Sequence, residues 1–273
     1  MRLTHRVWLP IVATLALAFA APLPAQAQQD TAAQRAARWK ALEQAVFGTR
    51  PVMDGAGIIA LKAPERALDA ALVPITVTLS GNKPIKAVYL VIDGNPSPLA
   101  GTFHFGPASV PHQLKTRVRV EQYTLMHAVA ETTDGGLYVA TRYVKAAGGC
   151  SAPMGENQAQ AMKHIGQMKL RLFGAVQPGK ASTAELLIWH PNNNGMQMDQ
   201  ITHYYIPARF IENITVTEGG RLVFSLDSDI SLSSNPAITF GFMPLKGMPL
   251  KVVVKDSTHA VFRHSFPVED GGA

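Results

Sequence analysis

Val73-Pro74-Ile75-Thr76-Val77-Thr78-Leu79 sets four large apolar residues against a proline and two threonines in strict alternation. A period of two is what a β-strand shows when one face is buried and the other is open. Gly81-Asn82-Lys83-Pro84 follows as a turn, and a second apolar strand is expected over residues 86–92, closed by Asp93-Gly94-Asn95-Pro96. Working outward, residues 102–105, 116–121, 123–130 and 137–144 continue the pattern, with Asp134-Gly135-Gly136 turning the last hairpin. Short strands with a turn signal about every 8–12 residues read as an immunoglobulin-like sandwich. Upstream, residues 30–47 have a helical composition, with Trp39, Leu42 and Val46 at helical spacing and Gly48 and Pro51 to end it. Downstream, strands are expected over 168–173, 184–189, 210–217, 222–226, 237–242, 250–255 and 260–266. The expected fold is therefore mainly β: two immunoglobulin-like β-sandwich domains in tandem, with an N-terminal helix on the first. The two halves show no internal sequence repeat.

Between them, Ala146-Ala147-Gly148-Gly149-Cys150-Ser151-Ala152 holds the single cysteine of the 273 residues. Its sequence neighbours are all small, and glycine frees the backbone at an entropic cost on folding. These residues predict a thiol on a flexible arm, suited to carrying a covalently attached group. The other reading is an incidental cysteine in an interdomain linker. Residues 151–167 are polar and small, either a loose linker or a short helix over 156–164.

The N-terminus has the layout of an export signal. Arg2, His5 and Arg6 precede an apolar run from Val7 to Ala21, and Ala25-Gln26-Ala27 supplies a small-x-small cleavage site. The expected boundaries are 1–27 for the signal, 28–147 for the first sandwich with its helix, 148–166 for the cysteine arm and linker, and 167–273 for the second sandwich. Cleavage removes two arginines and no acid, lowering the net charge from +6 to +4. The remaining basic residues are scattered, which gives no nucleic-acid footprint, and no second apolar stretch is long enough for a bilayer. A periplasmic location is expected. In an oxidising compartment one cysteine has no intrachain partner, so it is a reactive thiol or an intermolecular one.

Several ordered motifs carry a resemblance. Ile59-Ala60-Leu61-Lys62-Ala63-Pro64-Glu65, Val73-Pro74-Ile75-Thr76-Val77, Asn95-Pro96-Ser97-Pro98-Leu99-Ala100-Gly101-Thr102-Phe103, Gly136-Leu137-Tyr138-Val139-Ala140 and Gly148-Gly149-Cys150 resemble SoxY, the sulfur-carrier subunit of the periplasmic thiosulfate-oxidising system. His190-Pro191 with Gly195, Ile206-Pro207-Ala208, Phe210-Ile211 and Ser233-Ser234-Asn235-Pro236 resemble its partner SoxZ. The chain is similar to fused SoxYZ-like carriers associated with quinoprotein dehydrogenases. The resemblance implies that Cys150 is the attachment site and that Gly148 and Gly149 are the hinge. It further implies a carrier of sulfur intermediates, not an enzyme, with no cofactor or metal of its own. Its partners would be a Sox-type cytochrome and hydrolase or a quinoprotein dehydrogenase system, and the two halves would pack on each other. One departure matters. Ser151-Ala152 stand where SoxY has two further glycines, and the chain continues, so the arm is tethered at both ends.

Other readings stay open at this level. The chain could be a non-catalytic adaptor that docks a dehydrogenase or cytochrome, with the thiol incidental. A thiol peroxidase would need an activating base and usually a resolving cysteine. The cations nearest in sequence, Arg142, Lys145, Lys163 and His164, are not adjacent enough to depress the Cys150 pKa. His190, His203 and His264 are expected to cap turns or face solvent, and Trp39 and Trp189 to pack. Met196, Met198, Met243 and Met248 read as loop or gap-filling residues, with a soft copper site including Cys150 as the alternative.

Overall fold

The computed structural model describes residues 30–153 and 158–268. The expected signal at 1–27 lies outside the described residues, as does the start of the helix expected over 156–164. The chain runs α1 (Ala32–Phe47), β1 (Val52–Asp54), β2 (Ile59–Lys62), β3 (Val73–Leu79), β4 (Ile85–Ile92), β5 (Leu99–Phe105), β6 (Gln113–Val118), β7 (Thr124–Thr132) and β8 (Leu137–Val144). After the cysteine segment come α2 (Gln158–Lys163), β9 (Met168–Phe173), β10 (Ser182–Ile188), β11 (Ile211–Glu218), β12 (Arg221–Ser228), β13 (Ala237–Phe242), β14 (Leu250–Asp256) and β15 (Val261–Phe266).

Local chemistry accounts for the elements. Thr31 caps α1: its hydroxyl accepts from the Gln34 N–H, and the Gln34 side chain accepts from the Thr31 N–H, which satisfies two helix-end donors reciprocally. β3 buries Val73, Ile75, Val77 and Leu79 on one face, as its alternation requires. β7 is buried on both faces. Met126, Ala128 and Ala130 point into the sandwich core, while α1 covers the other side, with Trp39 stacked 3.7 Å from the His127 ring and Val46 and Phe47 near Val129. The helix is thus the lid that turns a half-open strand into a closed one.

Both sandwiches are present, and they are joined edge to edge. One sheet has nine strands in the order β1-β8-β7-β4-β5-β12-β11-β14-β15, and the other six in the order β2-β3-β6-β13-β10-β9. The halves meet in both layers. In the first, β5 pairs antiparallel with β12, from Gly101 opposite Ser228 to Phe105 opposite Phe224. In the second, Lys115 of β6 pairs with Thr239 of β13, flanked by bridges Ser109–Phe242 and Val118–Leu232. Pairing in this way consumes strand edges that would otherwise be open to aggregation. Besides a smaller cluster of Phe47, Val129 and Leu137 under α1, the main cluster of buried apolar residues runs from Ile59 to Val268, so one core spans both halves. Phe103, Phe224 and Phe240 bridge it, with ring centroids 6.0 and 4.9 Å apart.

β1 and β2 are additions to the sequence reading. β1 has three residues and β2 four, too few for alternation to stand out from chance.

Candidate functional site at the seam between the halves

The cysteine segment does not project from the body. Beyond β8, Lys145 donates its N–H to the Glu65 carbonyl at 2.7 Å and its ammonium to the Glu65 carboxylate at 2.7 Å. Gly148 N–H donates to the Glu121 carbonyl at 2.8 Å and Gly149 N–H to the Val120 carbonyl at 3.0 Å. Cys150 N–H donates to Glu121 Oε2 at 2.8 Å, and its carbonyl accepts from Asn194 Nδ2 at 2.7 Å. Cys150 is 0% exposed. The flexible arm expected from small sequence neighbours is corrected here: the segment is docked, and the groups that bury the thiol come from elsewhere in the chain. Burial, followed by the Glu121 carboxylate, pushes the thiol up to about 12, against a smaller downward pull from Arg119. Thiolate is the nucleophile, so the docked thiol is chemically quiet near neutral pH.

The two glycines have different physical reasons. Gly148 has φ +76, a left-handed conformation that other residues enter at a cost. At Gly149 a methyl group would come within 2.1 Å of the Ala70 carbonyl oxygen and 2.6 Å of that of Val120. Both obstacles are backbone, so they cannot rotate away. Gly149→Ala is therefore expected to undock the segment, raising Cys150 alkylation at least about tenfold while leaving far-UV circular dichroism unchanged. Alkylation at the wild-type rate would show that the close approach is not needed for docking.

The second half supplies the other wall, through the connection between β10 and β11. His190 is fully buried, which corrects the solvent-facing role expected of it, while its ring does cap the turn that follows. Its Nδ1 accepts from the Asn192 N–H at 3.1 Å, so the proton sits on Nε2, 3.5 Å from Asp256 Oδ2. Burial pushes His190 down to about 4, leaving it neutral at pH 7. His203 does lie in a turn, its N–H donating to the Asp199 carbonyl, and His264 is exposed on β15. Arg209 Nε donates to the same Asp256 oxygen at 2.8 Å. Burial opposes ionisation of Asp256, but hydrogen bonds from Thr258, Arg209 and Ala260 outweigh it and hold the carboxyl at about 2. Asn192 is pinned from both sides, donating to the Ser233 carbonyl and accepting from the Ile211 N–H. This network fixes the loop that presents Asn194 to Cys150 and lets Gln197 Nε2 donate to the Ala152 carbonyl at 3.4 Å.

Asp256→Asn is expected to destabilise the protein by about 1–3 kcal/mol, because it weakens the buried acceptor shared by His190 and the half-buried Arg209. The pH dependence has a definite sign. The folded-state pKa lies below the ordinary ~3.9, so this stabilisation is full above pH ~4 and drains away as pH falls towards about 2. The gap between wild type and variant in denaturant midpoint should close over that window and stay constant above it.

The seam is polar where it meets the cysteine segment. Asn95 Nδ2 donates to the Arg119 carbonyl at 2.7 Å and to Ser231 Oγ at 2.9 Å, and Asn95 Oδ1 accepts from Glu121 N–H at 2.9 Å. Ser231 Oγ donates to the Ser97 carbonyl, and Ser233 Oγ to the Ala71 carbonyl. The Asn95 motif thus meets Ser231, and Ser233 meets Ala71, across the two halves. Arg119, Glu121, Asn192, Asn194 and Gln197 were missed by the sequence reading. The run Asn192-Asn193-Asn194 beside His190-Pro191 was the one available signal, since buried side-chain amides in a loop must serve some hydrogen-bonding purpose. Met198 and Met248 are exposed, Met243 N–H pairs with the Ala108 carbonyl, and Met248 lies against the Gly219 turn. Among the described residues no group of three or more His, Cys, Asp or Glu side chains is placed to hold a metal ion.

The family described as sulfur oxidation protein SoxY matches residues 43–150, and that described as sulphur oxidation protein SoxZ matches residues 170–267. The chain is a SoxY domain followed by a SoxZ domain. Its two domains thus belong to a sulfur-oxidation carrier family. The sulfur carrier protein SoxY from Chlorobium limicola f thiosulfatophilum is 29% identical over 42% of this chain and 96% of its own, with a TM-score of 0.36. A beta-glycosidase from Bacteroides vulgatus is 13% identical over 77% of this chain, which spans 24% of that protein, with a TM-score of 0.23. No curated protein matches the chain. The SoxY match ends on Cys150, and the SoxZ half provides Asn192, Asn194 and Gln197, so the walls around the cysteine segment come from both halves.

Proposed function

We propose that this protein is a periplasmic carrier that holds a sulfur-containing intermediate on the Cys150 thiol and presents it to partner redox enzymes, with a quinoprotein dehydrogenase system as the associated machinery. The observation that carries this reading is the position of the chain's single cysteine: it is the last residue of the SoxY match, next to the paired glycines Gly148 and Gly149. If thiosulfate is the incoming species, its terminal sulfur bonds to Cys150 Sγ. The thiol proton leaves, and two electrons pass to a cytochrome-type acceptor. The chain itself supplies the nucleophile and no catalyst. Docked, the thiol is buried and protonated, so loading requires the segment to leave the seam and a partner to activate it.

A partner has a surface to meet beside the cysteine. Gln197 holds Ala152, and the residues just after it on the same loop expose Met198, Ile201, Tyr204 and Tyr205, with Ile201 and Tyr204 each 78% exposed. A second reading, a non-catalytic adaptor docking a dehydrogenase or cytochrome, is favoured by the burial of Cys150, since an incidental thiol has no need to emerge.

The intact mass of the protein from its own periplasm, with and without reductant, separates the two. A reductant-labile adduct on Cys150 is expected, and its mass names the cargo. An unmodified thiol that stays unmodified with thiosulfate and the oxidising partner would leave the adaptor reading standing.

A further inference from the structure

The least explained charge in the molecule is Arg119. It is only 2% exposed. One terminal nitrogen donates to the Gly149 carbonyl at 3.2 Å and the other to the Asn192 carbonyl at 3.4 Å, while Nε has no partner. Among the described residues, two of its five N–H donors are therefore used, both on neutral acceptors. Among the described residues no carboxylate lies within ion-pair distance of it. Asp69 acts on it only through space, and Glu121 is engaged with the Cys150 N–H. Burying a charge without a counter-charge is costly, and such groups are ordinarily paired. The seam keeps this one, directly beside the residue that bears the thiol.

We infer that Arg119 is the receptor for an anionic terminus on the group carried by Cys150, so that the docked seam accepts cargo ending in an oxoanion such as a sulfonate and disfavours neutral or cationic cargo. This rests on the carrier reading above. The protonated thiol offers the guanidinium no charge. A sulfonate-terminated adduct on the same sulfur brings a full negative charge with several acceptor oxygens, the geometry a guanidinium fork matches best. The unused Nε–H and the remaining terminal N–H groups are donors for it. At Sγ itself Glu121 opposes an anion more than Arg119 favours it. At the cargo's outer end the unpaired Nε of Arg119 favours the arginine, because the Glu121 carboxylate is held at the Cys150 N–H. Loading would then tighten docking, and a labile intermediate would be sheltered according to its charge.

The test uses chemically installed adducts on the full chain. Methanethiosulfonate reagents load Cys150 in denaturant with 2-sulfonatoethyl, 2-hydroxyethyl or 2-trimethylammonioethyl groups, and the protein is refolded. The release rate by a phosphine reductant is measured for each and divided by its rate from the unfolded chain. Protection is expected in the order anionic, neutral, cationic, with the anionic adduct released at least about tenfold more slowly than the neutral one, in line with a charge-assisted hydrogen bond. In Arg119→Met the anionic advantage disappears, and Arg119→Lys restores part of it. A flat or reversed order in the wild-type protein overturns the proposal, and needs no variant to fold. An anionic advantage that survives in a folded Arg119→Met overturns it as well. The two readings fail separately. A flat order with a natively loaded thiol sinks the receptor alone, whereas an unloaded native thiol with the charge order intact sinks the carrier role alone.

Discussion

Iodoacetamide is expected to alkylate Cys150 in the folded protein at pH 7 about a thousandfold more slowly than in the unfolded chain. Reaction goes through the thiolate, and an ordinary cysteine keeps a few per cent of it at neutral pH because its pKa is near ~8.5. Docked Cys150 is pushed up to about 12 by burial and by Glu121. Complete burial also blocks access, so the docked state contributes almost nothing and the observed rate reports how often the segment leaves the seam. The linkage has a clear direction. The folded-state pKa lies above the unfolded one, so docking is fully favoured below pH ~8.5 and weakens as pH climbs from there towards about 12. Alkylation should therefore rise with pH faster than thiolate formation in a free cysteine would predict. A folded-state rate within tenfold of the unfolded rate at pH 7 would show that Cys150 spends about a tenth of its time or more outside the seam, too much for a docked resting state.

Phe224→Ala is expected to cost about 3–5 kcal/mol, the usual range for truncating a fully buried phenylalanine. Phe224 is 1% exposed, stands opposite Phe105 at the β5–β12 junction, and packs between Phe103 and Phe240. The cavity would open where one half becomes the other. Because the two sheets and the core are continuous, both halves should respond together. Trp39 reports on the SoxY half and Trp189 on the SoxZ half. In single-tryptophan proteins their denaturant midpoints should coincide and move down by the same amount. Separate midpoints, with only one displaced, would mean that the halves fold as independent units despite the shared sheets.

The energetic link between the halves also bears on the cysteine. Glu121, which binds the Cys150 N–H, belongs to the SoxY half, and Asn194, which binds its carbonyl, to the SoxZ half. Loosening the seam should loosen the dock. A fusion keeps these two walls together without depending on the concentration of a separate subunit.

Alternation and helical spacing were readable directly. Val73–Leu79 could hardly be anything but a strand, and β8, β9 and β13 begin and end where periodicity placed them. Helix α1 was legible in the spacing of Trp39, Leu42 and Val46 and in the stop at Gly48, and the structure adds the capping box at Thr31. These are local properties, set by neighbours one to four positions away. The singularity of Cys150 and its place after two glycines were equally plain. What the sequence did not reveal was that β5 would continue into β12 and β6 into β13, since edge pairing depends on hydrogen bonds between residues 119 to 127 positions apart. Nor did it reveal the state of the thiol. Small neighbours along the chain suggested exposure, but Cys150 is enclosed by Glu121, Arg119 and Asn194, which are 29 to 44 positions away. His190 misled for the same reason, because its partner Asp256 is 66 residues on. The sequence by itself determined the longer strands, the first helix and the position of the single thiol. Only the tertiary structure decided whether that thiol is buried, what charge faces it, and that both halves enclose it, because burial and electrostatic environment are properties of residues brought together across long stretches of chain.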